Sequence, residues 1–214
     1  MMVRSIIFIS VIFVAGCGVT QPIRPIEEGR TVAMASFGGP IIPLGNIAIP
    51  LPYLNAGVQY GYTSTTTVYG NVHATALLFK DVGLDAGLCT LVLPEKGIRP
   101  AMTANLRGYL FWDAFRGKTV RFFPMGTITG SYRLGERSLA YGGLDALLQI
   151  SPSSTFLSPF VGYSFPAGET VRLQMETKWL AMNKVTEHGV FEGAASISGK
   201  GNVGIYLGAE VAWE

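Results

Sequence analysis

The sequence predicts an all-β protein, an antiparallel up-and-down transmembrane β-barrel of about ten strands, with eight as the fallback count. Three observations predict it. Apolar and polar residues alternate with period two along most of the chain after Arg30. Many of these segments run 10 to 13 residues, the length a tilted strand needs to cross a bilayer core (about 9–11). Only 14% of the 214 residues are charged, against about 25% in an average soluble domain, too few to coat a water-exposed exterior. The formal charge of +2 gives no basic footprint for nucleic acid.

The chain opens with three parts in order. Arg4 supplies a positive start, Ser5–Phe13 is apolar, and Val14-Ala15-Gly16-Cys17 follows. The apolar run is too short for a permanent span, which takes roughly 20 residues, and it lies where a cleaved export signal belongs. The last four residues resemble the lipobox of bacterial lipoproteins. That resemblance implies diacylglycerol on the Cys17 thiol, cleavage before it, acylation of the new amino group, and the lipoprotein-processing machinery as a partner. Residues 1–16 are then the signal peptide, 17–30 a lipid-anchored tether, extended at Pro22 and Pro25, and 31–214 the barrel domain. With Cys17 lipidated, Cys89 has no intramolecular partner and reads as a small buried packing residue within a strand. A disulfide framework and a cysteine-based metal site are excluded.

Turn signals divide the rest into ten strands: Thr31–Phe37, Tyr53–Thr63, Thr67–Phe79, Leu84–Leu93, Ala101–Trp112, Thr119–Leu134, Leu139–Ile150, Phe156–Phe165, Thr170–Met182 and Asn202–Trp213. The clearest is the ninth. Val171, Leu173, Met175, Trp179 and Ala181 fall on one side, and Arg172, Gln174, Glu176 and Lys178 on the other. In the tenth, Val203, Ile205, Leu207, Ala209 and Val211 oppose Gly204, Tyr206, Gly208 and Glu210. The prolines of Gly38–Pro52 make that segment a connection, since proline cannot serve a central ladder. Pro124 marks a bulge or rim in the sixth strand.

Alternation alone fits two inverted objects: a soluble lipocalin-like barrel with an apolar ligand inside, or a membrane barrel with lipid outside and a polar lumen. Span length and low charge favour the second. So does the mixture of glycine with charges of both signs on the polar faces, where Arg107, Arg121, Arg133, Asp145, Arg172, Gln174, Glu176, Lys178 and Glu210 form an expected lumen network. The two longest connections, Gly38–Pro52 and Asn183–Gly201, fall on the external side when the chain start is internal. Tyr53, Tyr62, Tyr69, Trp112, Trp179 and Trp213 suit interfacial girdles.

In these respects the chain resembles small bacterial outer-membrane β-barrel proteins. Its last strand is similar to their C-terminal assembly signal in Tyr206, Val211 and Trp213, although Glu214 follows the final aromatic. The resemblance implies outer-membrane lipid and the barrel-assembly machinery as partners, with external loops free to meet an envelope protein. It implies a non-enzymatic structural, adhesive or accessory role, and no cofactor is expected. A rim-active lipid hydrolase is the enzymatic alternative and needs a histidine base. His73 shares a face with Asn71 and reads as a lumen side chain, while His188, between Glu187 and Glu192, reads as a solvated loop residue. Neither supports a catalyst.

Overall fold

Each alternating segment pairs with its neighbour in sequence, and the last pairs back to the first. The computed structural model describes residues 21–44, 46–113, 119–185 and 195–213. Its elements are β1 (Thr31–Leu44), β2 (Ile47–Pro50), β3 (Leu54–Thr63), β4 (Thr66–His73), α1 (Ala74–Leu78), β5 (Val82–Leu93), β6 (Ala101–Trp112), β7 (Val120–Leu134), β8 (Ser138–Gln149), β9 (Ser154–Pro166), β10 (Val171–Val185) and β11 (Lys200–Trp213). All pairings are antiparallel. The ladder of β1 with β11 runs from Thr31↔Trp213 to Pro40↔Gly204 and closes a ten-strand barrel. Closure matters because it leaves no open edge with unpaired backbone groups.

The predicted strands recur with small shifts in their ends, and two segments differ. The third predicted strand, Thr67–Phe79, stops at His73, and α1 follows. Ala76 is fully buried inside. The connection Gly38–Pro52 is largely a ribbon: β1 continues to Leu44 and turns back through β2, with Ile41↔Pro50 to Leu44↔Ile47 in register. Its prolines are tolerated because the ladders of β1 with β3 and with β11 have ended by Phe37 and Pro40. Pro124 causes no bulge. It pairs in register with Gly108, and the β7–β8 ladder starts at the next residue.

The polarity of the wall is inverted. On β10, Gln174, Glu176 and Lys178 are buried inside, while Met175 is 49% exposed on the outer side. On β3, Leu54, Val58, Tyr60 and Tyr62 face out and Asn55 and Gln59 face in. This is the reverse of a barrel that carries a greasy ligand in its core, so the carrier reading falls. After Leu180 the β10–β11 register shifts, Ala181 takes φ +50°, and the alternation is lost there. Both ends of the barrel wall, Thr31 and Trp213, lie at one end, called lower here, with the connections 64–65, 94–100, 135–137 and 167–170. The β1–β2 ribbon and α1 lie at the upper end.

Candidate functional site

The inside of the barrel holds the polar chemistry, arranged in layers that β6 displays in sequence: Thr103 low, Asn105 and Arg107 in the middle, Tyr109 and Phe111 above, all buried. Strand register decides which groups meet. Asp85 on β5 stands opposite Asn71 of β4 and Tyr109 of β6. Its carboxylate accepts from Arg107 Nε (2.7 Å) and Nη2 (2.8 Å), Asn71 Nδ2 (2.7 Å) and His73 Nε2 (2.7 Å). A carboxylate only accepts, so Nε2 of His73 carries the proton; in the neutral ring Nδ1 then accepts from Tyr53 OH, 2.8 Å away. The Arg107 guanidinium also lies over the rings of Tyr69 and Tyr109, at 5.5 and 4.7 Å, which offsets part of its lost hydration.

A second group spans β7 to β10. Asp145 accepts from Thr127 Oγ1 and Lys178 Nζ, both at 2.6 Å, and Lys178 lies 3.2 Å from Glu176. Phe160, opposite Lys178 in register, places its ring 5.0 Å from the ammonium. A third group sits lower. Arg172 donates to Ser164 Oγ (3.1 Å) and pairs in register with Glu210, whose carboxylate accepts from Gln59 Nε2 at 3.0 Å.

The nine expected lumen residues thus do not form one network. Arg107 pairs with Asp85; Asp145, Glu176 and Lys178 cluster; Arg172, Gln174 and Glu210 border a lower cavity of about 420 Å³. Arg121 makes a 3.5 Å bridge to Asp81 near the upper end. Arg133 is exposed at the lower rim, because the inward parity of β7 ends at Ser131. Asp85, the acceptor at the centre of the first group, was not among those nine. Its inward parity with Gly83, Gly87 and Cys89 was the available signal. Two aromatics expected in the outer girdle, Tyr53 and Tyr69, are buried inside. Cys89 is free and buried against Met34 and Tyr69.

Above the charged layer the lumen also holds an apolar cluster. Tyr53, Tyr109, Phe111, Met125 and Leu147 pack together beneath Ala76 of α1, with Phe123 and Phe156 against them. An aromatic layer therefore crosses the upper lumen, with α1 laid on it.

The lower lumen holds part of the chain itself. Residues 21–30, part of the expected lipid-anchored tether, run inside the barrel from Gln21 down to the rim. Ile23 is buried on Tyr141 and Phe160, and its carbonyl accepts from Thr103 Oγ1 at 3.0 Å. Ile26 N–H donates to Thr67 Oγ1 (2.9 Å). Arg24 donates to Ser131 Oγ (2.8 Å), Ser131 O (2.9 Å) and Glu95 Oε2 (2.7 Å). The bond from Arg24 and one from Arg133 N–H hold the Glu95 carboxyl below its usual range. Gly61 makes room for this strap: a Cβ there would strike the Glu27 carbonyl, and its own backbone groups pair with Gly29 and Arg30.

Both nitrogens of His73 are engaged, by Tyr53 and Asp85, and among the described residues no serine or threonine hydroxyl is seen bonded to it. Among the described residues no three His, Cys, Asp or Glu side chains converge as a metal site, and no helix is long and apolar enough to cross a membrane. Cys17, His188, Glu187 and Glu192 lie outside the described residues.

The fold is an inverted β-barrel. No family model matches the chain, and no curated protein matches it. Among solved structures it is similar in shape to the COG4313 outer membrane channel from Pseudomonas putida F1, at 9% identity and a TM-score of 0.49, over 91% of this chain and 100% of that one. It is also similar to Ail, the attachment invasion locus protein of Yersinia pestis, at 11% identity and a TM-score of 0.29, over 87% and 99% of the two chains. These likenesses carry no activity to this chain.

Proposed function

We propose that this protein is an integral barrel of the bacterial outer membrane, lipid-anchored at Cys17, with a closed interior. It works through its surfaces, as a structural, adhesive or envelope-accessory component, and not by passing solutes or by catalysis. One observation supports this above the others. The apolar side chains face outward, as lipid requires, while the lumen is occupied below by residues 21–30 and above by the aromatic layer under α1.

Charges buried in such an interior are there to be neutralised. Arg107 and Lys178 each have a carboxylate within 2.7 Å, an arrangement that fixes the lumen side chains and leaves little mobile charge to select a passing ion. The external surface then carries recognition, with the β1–β2 ribbon and the connection after β10 as the contact segments.

The test is extraction and conductance. The protein should need detergent for release, migrate faster on gels before heating than after, and give no conductance steps in planar bilayers. Labelling with a palmitate analogue should depend on Cys17. Release of a soluble monomer by Cys17→Ser would overturn the integral-barrel reading, and steady conductance by the wild-type protein would overturn the closed lumen.

A further inference from the structure

The cations inside this barrel stand against carboxylates, with one exception. Arg107, Lys178 and Arg24 each donate to a carboxylate at 2.7, 2.6 and 2.7 Å, and Arg121 reaches Asp81 at 3.5 Å. Arg172 is turned inward from β10 and partly buried. Among the described residues its guanidinium makes one hydrogen bond, to the Ser164 hydroxyl. Glu210 stands opposite it in register but out of salt-bridge contact, and accepts from Gln59 instead. A guanidinium carries five N–H donors, so most of those on Arg172 have no protein acceptor.

These donors border the lower cavity of about 420 Å³. Register gives its depth: Gln174 is highest, Arg172 and Glu210 lie one level down, and Thr170 and Ala212 are at the mouth. The strap forms one side with Ile23 and Ile26, while Leu139 and Val171 add apolar wall. Exposed Arg133, Arg137, Glu136 and Glu169 ring the opening. Every cation bordering the cavity is an arginine and none is a lysine. Arginine is the residue suited to planar, two-point recognition of carboxylate or phosphate.

The rest of the lining chooses between those two. A compact dianion such as phosphate would meet the glutamates at the mouth and leave the apolar wall uncovered. A single carboxylate at the end of an apolar body satisfies Arg172 and covers Ile23, Leu139 and Val171. The strap shows what else the lower lumen accommodates. It is an extended backbone, held through the Ile23 carbonyl on Thr103 and the Ile26 N–H on Thr67. We propose that the cavity binds the C-terminal carboxylate of a short extended peptide with apolar side chains, and that Arg172 is the residue that holds the carboxylate. This gives the lower end a ligand of its own, beyond the surface role argued above, and it depends neither on the lipid anchor nor on conductance.

The test is calorimetric titration of the full-length protein, purified in detergent, with the N-acetylated tripeptide valine–alanine–valine. The free acid should bind at least about ten-fold more tightly than the same tripeptide amidated at its C-terminus, and inorganic phosphate and hexanoate should each bind more weakly than the acid. Arg172→Gln should reduce binding of the acid to the level of the amide while heat-modifiable migration is kept. Ala212→Trp fills the mouth and leaves every charge in place, so it should abolish binding of the acid whether or not Arg172→Gln folds. Equal binding of acid and amide, no binding of the acid, or binding that survives Ala212→Trp would each overturn the site. Phosphate or hexanoate matching the acid would overturn the assignment to a peptide.

Discussion

Replacing Asp85 by asparagine keeps the shape of the side chain and removes its charge, which strands the Arg107 guanidinium in the middle of the lumen. Both side chains are nearly inaccessible, and two of the four hydrogen bonds on Asp85 come from Arg107. Breaking a buried pair by removing one partner typically costs about 3–5 kcal/mol. We expect Asp85→Asn to lower the unfolding free energy of the purified barrel by about 3–5 kcal/mol, since the stacking of Arg107 on Tyr69 and Tyr109 is common to both proteins. The assay is urea unfolding in detergent, followed by tryptophan fluorescence and gel mobility. The decisive measurement is the double variant. Adding Arg107→Met removes the stranded charge and leaves an apolar chain of similar length beside two tyrosines. The double variant should therefore be more stable than Asp85→Asn alone. If it is less stable, or if Asp85→Asn costs under about 1 kcal/mol, the surface-pair value, then the pair is not desolvated as described.

Other perturbations probe the wall and the strap. Leu173→Asp puts a carboxylate on the outer face of β10 and should impair insertion, read as loss of the heat-modifiable band; normal insertion would contradict the assigned polarity. Gly61→Ala should push residues 21–30 out of the lumen through the Glu27 carbonyl, exposing the strap to added protease with the barrel intact. Glu95 has a depressed carboxyl, so its bond to Arg24 stabilises the seated strap above the unfolded-state value, about 4.3, and is lost as pH falls through the still lower folded value. Protease access to the strap should therefore be flat from neutral pH down to about 4.3 and rise only below it, and Arg24→Ala should remove that pH dependence.

Strand identity and face were legible because period two leaves little freedom. Once Gln174, Glu176 and Lys178 share a parity on β10, a closed wall sends all three inward, whatever packs on them. Tyr53 and Tyr69 go to the outer girdle only when polarity is taken residue by residue, because an amphipathic tyrosine suits either a membrane interface or a lumen where its hydroxyl finds a partner; parity with Asn55 and Asn71 places both inside. The strap was illegible for another reason. Its bonds run to Thr67, Thr103 and Ser131, each on a different strand, and a segment without periodicity carries no record of such partners. Beyond His73 the alternation of β4 gives way to one short turn of helix, and the apolar residues of Ala74–Phe79 suit either a strand or a cap on the aromatic layer.

The distribution of inward volume around the wall supports the proposed closed lumen. Large inward side chains stand beside glycines: Tyr69 opposite Gly87, Tyr141 opposite Gly162, Lys178 opposite Gly204. A Cβ on Gly87 would lie 2.7 Å from the Tyr69 ring. Glycine weakens a strand, so its recurrence on the inner face is a cost that filling the interior offsets. A conducting pore needs small side chains around a whole level, leaving the axis to water. Here, at these three pairs, one residue reaches across and its neighbour makes room for it. Opening this barrel by withdrawing residues 21–30 would therefore empty only its lower half, since the Tyr109–Phe111 layer beneath Ala76 is wedged by the wall itself and does not depend on the strap.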